Sequence, residues 1–170
     1  DVPIEHADPI IGDRALGRDV DLIEALGRAI CTGLMEAGVL PVIKHLPGHG
    51  RALVDSHVML PRVTASRLAL EETDFETFRR LAGQSLGMTA HVIYVAIDET
   101  RPATLSPTVI SEIIRGYIGF DGLLMSDDLS MKALSGALSE RTREALSAGC
   151  DLVLHCNGDE AEMNEVVAAA

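Results

Sequence analysis

Aromatic and basic residues are scarce in this chain of 170 residues. There is no tryptophan, and aromatic residues make up only 3% of the sequence. This composition disfavours a sugar-binding surface built from stacked aromatic rings. The 14 Lys and Arg residues are outnumbered by 26 Asp and Glu residues, which gives a net charge of −12. So acidic a chain is poorly suited to bind nucleic acid or an anionic membrane, because both attract basic proteins.

Long apolar runs and a disulfide framework are also missing. No run approaches the length of a membrane span, and no cleavable signal is visible. Cys150 and Cys156 bracket one predicted strand, so their Cα atoms should lie about 20 Å apart. A disulfide requires roughly 7 Å or less. Cys31 falls in a helical pattern and is interpreted as a small buried hydrophobic residue. Reduced thiols favour a cytoplasmic location.

Short apolar runs alternate with helical patterns. Four runs are predicted as strands, at residues 39–43, 86–90, 123–125 and 152–154, and the segment 92–97 could extend or replace the second. Helical spacing is found at residues 19–37, 75–83 and 141–148, after Ser106-Pro107, and from Glu160 onwards. Strands that alternate with amphipathic helices predict a parallel α/β sheet.

Each predicted strand is followed by polar residues, whereas no Gly-rich dinucleotide or P-loop motif follows any strand. The polar groups are Lys44-His45, His91, Asp127-Asp128, and His155 with Asn157. This pattern is typical of the active face of a (β/α)8 TIM-type barrel. Four βα units make half of such a barrel. Residues 1–170 are therefore predicted to be a single segment, the C-terminal half of a barrel whose first strands are absent. His91 and Asn157 are interpreted as structural polar groups.

The densest cluster of titratable groups runs from Lys44 to Gly50 and continues in Asp55-Ser56-His57. Residues two apart in an extended segment point to the same side, so Asp55 could hydrogen-bond the His57 ring and support proton transfer. A surface loop with a local Asp–His contact is the plainer alternative. A metal site is a third possibility.

The metal alternative would use His45, His49, Asp55 and His57 as ligands. It ranks below acid–base chemistry because their spacing matches no compact zinc pattern. No metal and no cofactor are predicted.

The motifs also resemble those of a known family. Lys-His-Leu-Pro-Gly-His-Gly followed by Asp-Ser-His resembles the signature of family 3 glycoside hydrolases of the bacterial β-N-acetylhexosaminidase branch. The stretches 119–122 and 126–131 are similar to that family's nucleophile strand, and Ile11-Gly12-Asp13-Arg14 to a stretch with a substrate-binding Arg. Leu46 replaces the usual Phe, and Ala15-Leu16 replaces a common Ser-Tyr.

The resemblance implies hydrolysis, with retention of configuration, of terminal β-linked N-acetylglucosamine in peptidoglycan-derived sugars. It assigns Asp127 as the nucleophile, with Asp128 as its structural partner. His57 becomes the acid/base, paired with Asp55. The sugar-binding residues it implies are Lys44, His45 and Arg14.

The same resemblance leaves other possibilities open. The loop that carries His57 is expected to close over the sugar, with Gly48 and Gly50 as hinges. A phosphorylase of the same family, an inactive half-barrel and a metal-dependent hydrolase are the alternatives to the glycosidase. The expected partner is a small carbohydrate or muropeptide, and exposed sheet edges could support a homodimer.

Overall fold

Six strands organise the fold, and the computed structural model describes all 170 residues. The strands are β1 (Val42–Leu46), β2 (Arg62–Val63), β3 (Leu86–Thr89), β4 (Ile93–Tyr94), β5 (Leu123–Asp128) and β6 (Leu152–Leu154). In space, β1, β3, β5 and β6 form one parallel sheet in that order, and β2 pairs with β4 in a separate parallel ladder. The predicted parallel α/β architecture is confirmed.

Helices connect the strands at the predicted places, with one more at residues 67–72 that the sequence analysis does not predict. They are α1 (Val20–Glu36), α2 (Arg67–Glu72), α3 (Asp74–Arg80), α4 (Leu138–Ala148) and α5 (Glu160–Ala169), together with a π-helix at Val109–Tyr117. The Asp19 carboxylate accepts a hydrogen bond from the Leu22 N–H (2.9 Å) and caps α1. Gly38 follows α1 with a φ of 80°, a value that favours glycine. None of the helices is long and apolar enough to cross a membrane.

Two strands extend further than their apolar runs. β1 includes Lys44 and His45, and β5 includes Asp127 and Asp128. Lys44 lies opposite Met88 of β3, so pairing with the neighbouring strand carries polar residues into the ladder. These four polar residues therefore lie on strand backbone, whereas His91, His155 and Asn157 lie beyond the ends of β3 and β6. The segment 92–97 neither extends nor replaces β3, since part of it forms β4.

One edge of the structure exposes apolar side chains. Helical spacing places Leu22, Ile23, Leu26 and Ile30 on one face of α1, yet only Ile23 is buried. Val39 and Leu40, which precede β1, are exposed as well. β1 is an edge strand and has no neighbour on its outer side. We call this surface the apolar edge; its residues are Leu22, Leu26, Ile30, Val39 and Leu40.

We propose that the isolated chain self-associates through the apolar edge, because unpaired strands and contiguous apolar surface both favour association. Light scattering after size exclusion should give a dimer or larger species at micromolar concentration. Leu26→Lys should shift the chain towards monomer. Leu68→Lys, at an exposed position on α2, is the matched control and should not. A monomeric wild type that binds no hydrophobic dye would contradict the proposal.

Candidate active site

The carboxyl ends of the parallel strands surround a small cavity of about 60 Å³. Its lining residues are Ile10, Ile11, Arg14, His45, His49, Ser56, His57 and Asp127. Four of the six predicted site residues are therefore brought together, although Arg14 and Asp127 lie 113 positions apart in sequence. The two predicted residues outside this lining are Lys44 and Asp55.

Asp55 and His57 form the expected hydrogen-bonded pair, but within a turn and not in the extended segment that the prediction assumed. Asp55 Oδ1 accepts a hydrogen bond from the His57 backbone N–H (2.7 Å) and lies 2.8 Å from His57 Nδ1. The backbone hydrogen bond is the largest cause that lowers the pKa of Asp55 below its ordinary value. An ionised Asp55 favours a proton on His57 Nδ1, which leaves Nε2 as the nitrogen that can exchange a proton. Asp55 thus acts on the cavity through His57.

The two adjacent carboxylates of β5 differ in their hydrogen bonds. Asp128 accepts from the Ser130 N–H (2.9 Å), the Ser130 Oγ (2.6 Å) and the Cys156 N–H (3.1 Å). Burial raises the pKa of Asp128 and these hydrogen bonds lower it, with a net decrease. Asp127 accepts only from the Asp128 N–H (2.8 Å) and lines the cavity. Asp127 is therefore the carboxylate that is available to a ligand.

Asp1 is a site residue that the sequence analysis does not anticipate. Its carboxylate lies 2.7 Å from His45 Nδ1 and accepts hydrogen bonds from the backbone N–H groups of His45 (3.1 Å) and His49 (2.7 Å). Because Asp1 favours a proton on Nδ1 of His45, Nε2 of that ring is left as an acceptor. No motif surrounds Asp1 that could have marked it as part of the site.

Burial keeps the imidazoles of His45 and His49 neutral. It lowers the pKa of His49 to about 4, and it lowers the pKa of His45 to about 4 although the Asp127 carboxylate opposes the change. A neutral imidazole both donates and accepts a hydrogen bond, as a sugar hydroxyl also does. These rings are therefore suited to bind uncharged polar groups.

The low pKa of His49 predicts that acid destabilises the fold. Between pH 6.5 and about 4 the unfolded chain binds a proton at this position and the folded chain does not, so stability falls as the pH falls. We expect His49 to account for about 2–3 kcal/mol of lost unfolding free energy across this range. Denaturant titrations at several pH values would measure the loss. His49→Gln, which cannot be protonated, should show a smaller loss; equal losses in both proteins would contradict the prediction.

Two cations lie beside the cavity without a carboxylate partner. The Arg14 guanidinium donates to the backbone carbonyls of Ile10 (2.6 Å) and Ile11 (3.2 Å). Lys44 is exposed and makes no side-chain hydrogen bond or ion pair. Both line an adjoining cavity of about 70 Å³, together with Asp1, Ile11 and His45. Free donors at this position can reach hydroxyl or anionic groups of a ligand.

The remaining polar residues at the strand ends are held by the protein itself. His91 is fully buried, with Nδ1 2.8 Å from the Thr104 hydroxyl and Nε2 3.0 Å from the Asp128 carbonyl. Asn157 donates its side-chain amide to Glu162. Both contacts agree with the structural interpretation of His91 and Asn157. No three His, Cys, Asp or Glu side chains converge to hold a metal ion, so the metal alternative lacks a ligand set in this arrangement.

Comparison with known proteins gives a consistent result. The family described as "Glycosyl hydrolase family 3 N terminal domain" matches residues 1–170. A β-hexosaminidase of Alkalilimnicola ehrlichii is 49% identical over 156 residues, which are 89% of this chain and 44% of that protein. This chain thus spans less than half the length of that relative.

Solved structures agree in fold. A family 3 β-N-acetylglucosaminidase from Paenibacillus sp. aligns with a TM-score of 0.87 and 36% identity, over 99% of this chain and 34% of that one. NagZ from Neisseria gonorrhoeae, in complex with N-trifluoroacetyl-D-glucosamine, aligns with a TM-score of 0.86 and 35% identity. That alignment covers 98% of this chain and 49% of the other. The parallel sheet is therefore part of a TIM-barrel-type domain, and the apolar edge lies where such a sheet is incomplete.

Proposed function

Because this chain belongs to glycosyl hydrolase family 3, we propose that the complete gene product containing it is a retaining glycosidase that removes terminal β-linked N-acetylglucosamine. The observation that carries the proposal is the shared cavity of Asp127 and His57, with Asp55 hydrogen-bonded behind His57. The names of the similar proteins support the substrate: one is a β-hexosaminidase, and one was solved with an N-acylated glucosamine.

In the first step, we propose that an Asp127 carboxylate oxygen attacks the anomeric carbon of the sugar. The bond from that carbon to the leaving oxygen breaks, and the proton on His57 Nε2 passes to the leaving oxygen. The products of this step are the free aglycone, a neutral His57 and a covalent glycosyl ester of Asp127. Two inversions of configuration, one in each step, give overall retention.

In the second step, neutral His57 takes a proton from water while the water oxygen attacks the anomeric carbon. The ester bond breaks and the Asp127 carboxylate is restored. Asp55 supports both steps in the proposal, because its negative charge stabilises the protonated ring and its position fixes the ring orientation.

Sugar binding is proposed for the polar groups around the nucleophile. His45 would accept a hydrogen bond from a sugar hydroxyl at Nε2, because Asp1 occupies its other ring nitrogen. Lys44 and Arg14 would donate to hydroxyl or carbonyl oxygens from the adjoining cavity. We further propose peptidoglycan-derived sugars, muropeptides included, as the substrate class and the cytoplasm as the location; the motif resemblance and the three free cysteines support this.

A phosphorylase is the second candidate, and the unpaired Arg14 and Lys44 favour it. Two cations beside the cavity could hold a phosphate, which would replace water in the second step and yield a sugar 1-phosphate. An inactive half-barrel is the outcome to expect from residues 1–170 if the rest of the barrel is needed for binding.

Product analysis tests the proposed function. The complete gene product is incubated with 4-nitrophenyl N-acetyl-β-glucosaminide, whose leaving group has no anomeric carbon, once in phosphate and once in a phosphate-free buffer, and NMR follows the products. A retaining hydrolase releases β-N-acetylglucosamine first in both buffers. A sugar 1-phosphate formed only in phosphate would replace the hydrolase with the phosphorylase. Release of the α-anomer first would exclude the covalent mechanism.

A further inference from the structure

The loop from Pro47 to Leu60 consists of an anchored stem, residues 47–52, and an exposed tip, residues 53–60. In the stem, the Gly48 carbonyl accepts a hydrogen bond from the Tyr94 hydroxyl (2.7 Å), and a Cβ at Gly50 would lie only 2.1 Å from the Val2 carbonyl oxygen. Both glycines are buried. Both glycines are closely packed in this arrangement, and their hinge role stays a prediction.

The tip carries the catalytic pair but has few attachments. The His57 side chain is 60% exposed, and the hydrogen bonds of Asp55 and His57 stay within the tip. One side-chain hydrogen bond joins residues 53–60 to the rest of the structure: His49 Nε2 lies 3.0 Å from the Ser56 Oγ. Ser56 stands between the two members of the pair and is only 3% exposed. Any displacement of Ser56 would displace the pair.

The stem holds His49 rigidly. Its backbone N–H donates to Asp1 (2.7 Å), its ring packs edge-on against the ring of His45 with centroids 5.7 Å apart, and it is 3% exposed. The ring's other nitrogen, Nδ1, is buried without a hydrogen-bond partner. The contact with Ser56 is therefore the ring's only hydrogen bond. If the tip lifted away, Nε2 of His49 would lose its hydrogen-bond partner. Such a loss is costly for a buried nitrogen unless water replaces the partner.

We propose that His49 and Ser56 form a latch that seats the Asp55–His57 pair over the cavity. Both are positioning residues: they act through His57 and set the distance between its Nε2 and the leaving oxygen. This inference rests on the proposed function, because it assigns His57 the proton transfer. It predicts that losing the latch slows the proton-dependent step while Asp127 keeps its reactivity.

Serine variants test the latch in the complete gene product. Ser56→Ala removes the hydroxyl, and Ser56→Thr retains one. Two substrates are compared: chitobiose, whose leaving group needs a proton, and an N-acetylglucosaminide with a 2,4-dinitrophenyl leaving group, which does not. Single-turnover rates report the first step. We expect Ser56→Ala to slow the reaction of chitobiose by about 10- to 100-fold and the reaction of the 2,4-dinitrophenyl substrate far less. Ser56→Thr should restore the rate with chitobiose.

Ser66→Ala is the matched control, because the Ser66 Oγ caps α2 away from the cavity. This variant should leave the ratio of the two rates unchanged. Hydrogen–deuterium exchange of residues 53–60 gives a second readout, which should rise in Ser56→Ala alone. An unchanged ratio, or equal losses on both substrates with a lowered Tm, would overturn the latch. If the wild type hydrolyses neither substrate, the proposed function fails, and unchanged exchange in Ser56→Ala would then reject the latch independently.

Discussion

Replacing Asp127 by Ala should reduce kcat/KM of the complete gene product by about 10⁴-fold or more, because no other carboxylate at the cavity is free to form the glycosyl ester. The fold should survive, since Asp127 lines the cavity and accepts a hydrogen bond only from the Asp128 N–H. Steady-state kinetics with an aryl N-acetylglucosaminide would measure the loss. Circular dichroism and the Tm would show that the variant is folded.

Asp128→Ala is the control for this prediction. Its carboxylate accepts three hydrogen bonds from Ser130 and Cys156, so the variant should lower the unfolding free energy by about 1–3 kcal/mol. Its activity should exceed that of Asp127→Ala. Near-normal activity in Asp127→Ala, with loss of activity in folded Asp128→Ala, would show that the nucleophile is assigned to the wrong residue.

Replacing His57 by Ala has the second largest expected effect. With chitobiose, kcat/KM should fall by about 10²- to 10⁴-fold, because the leaving oxygen must then depart without a proton. With a 2,4-dinitrophenyl leaving group the first step needs no acid, so kcat/KM should change much less. Turnover of that substrate should stall at the glycosyl-enzyme, and azide should restore it, because azide attacks without a general base.

Asp55→Asn is the companion variant. Nε2 of His57 remains in place but the ring loses its charged partner, so the loss on chitobiose should be smaller than in His57→Ala. Equal losses on both substrates in His57→Ala, with no azide rescue, would contradict the acid/base role.

Hydrophobic periodicity was sufficient to predict the four strands of the larger parallel sheet and the helices other than α2. Asp19 and Gly38 mark the two ends of α1. Both could be identified from the sequence because helix capping depends on residues close together in the chain. Strand ends were less predictable: Lys44 and Asp127 extend β1 and β5 only because neighbouring strands offer pairing partners. The exposure of Leu26 and Ile30 could not be predicted either. Their spacing identifies an apolar face, but not which part of a domain would cover it.

In the candidate site, too, contacts between residues close in sequence were predictable and contacts between distant residues were not. Asp55 and His57 were predictable because two-residue spacing is local, and resemblance connected them to the distant Asp127. The hydrogen bonds of Asp1 with His45 and His49 join residues more than forty positions apart, and no spacing rule covers such a distance. The hinge role of Gly48 and Gly50 stays a prediction: glycine permits flexibility, and both residues are closely packed in the arrangement seen here.

The central claim is that Asp127 forms the covalent bond to the sugar. The most direct measurement is to trap that intermediate with a 5-fluoro N-acetylglucosaminyl fluoride, which slows the second step more than the first, and to map the adduct by peptide mass spectrometry. We expect one added sugar on the peptide that contains Asp127, fragment ions that place it on Asp127, and no label in Asp127→Ala. A sugar attached to Asp128 or to any other residue would contradict it, as would inactivation without any covalent adduct.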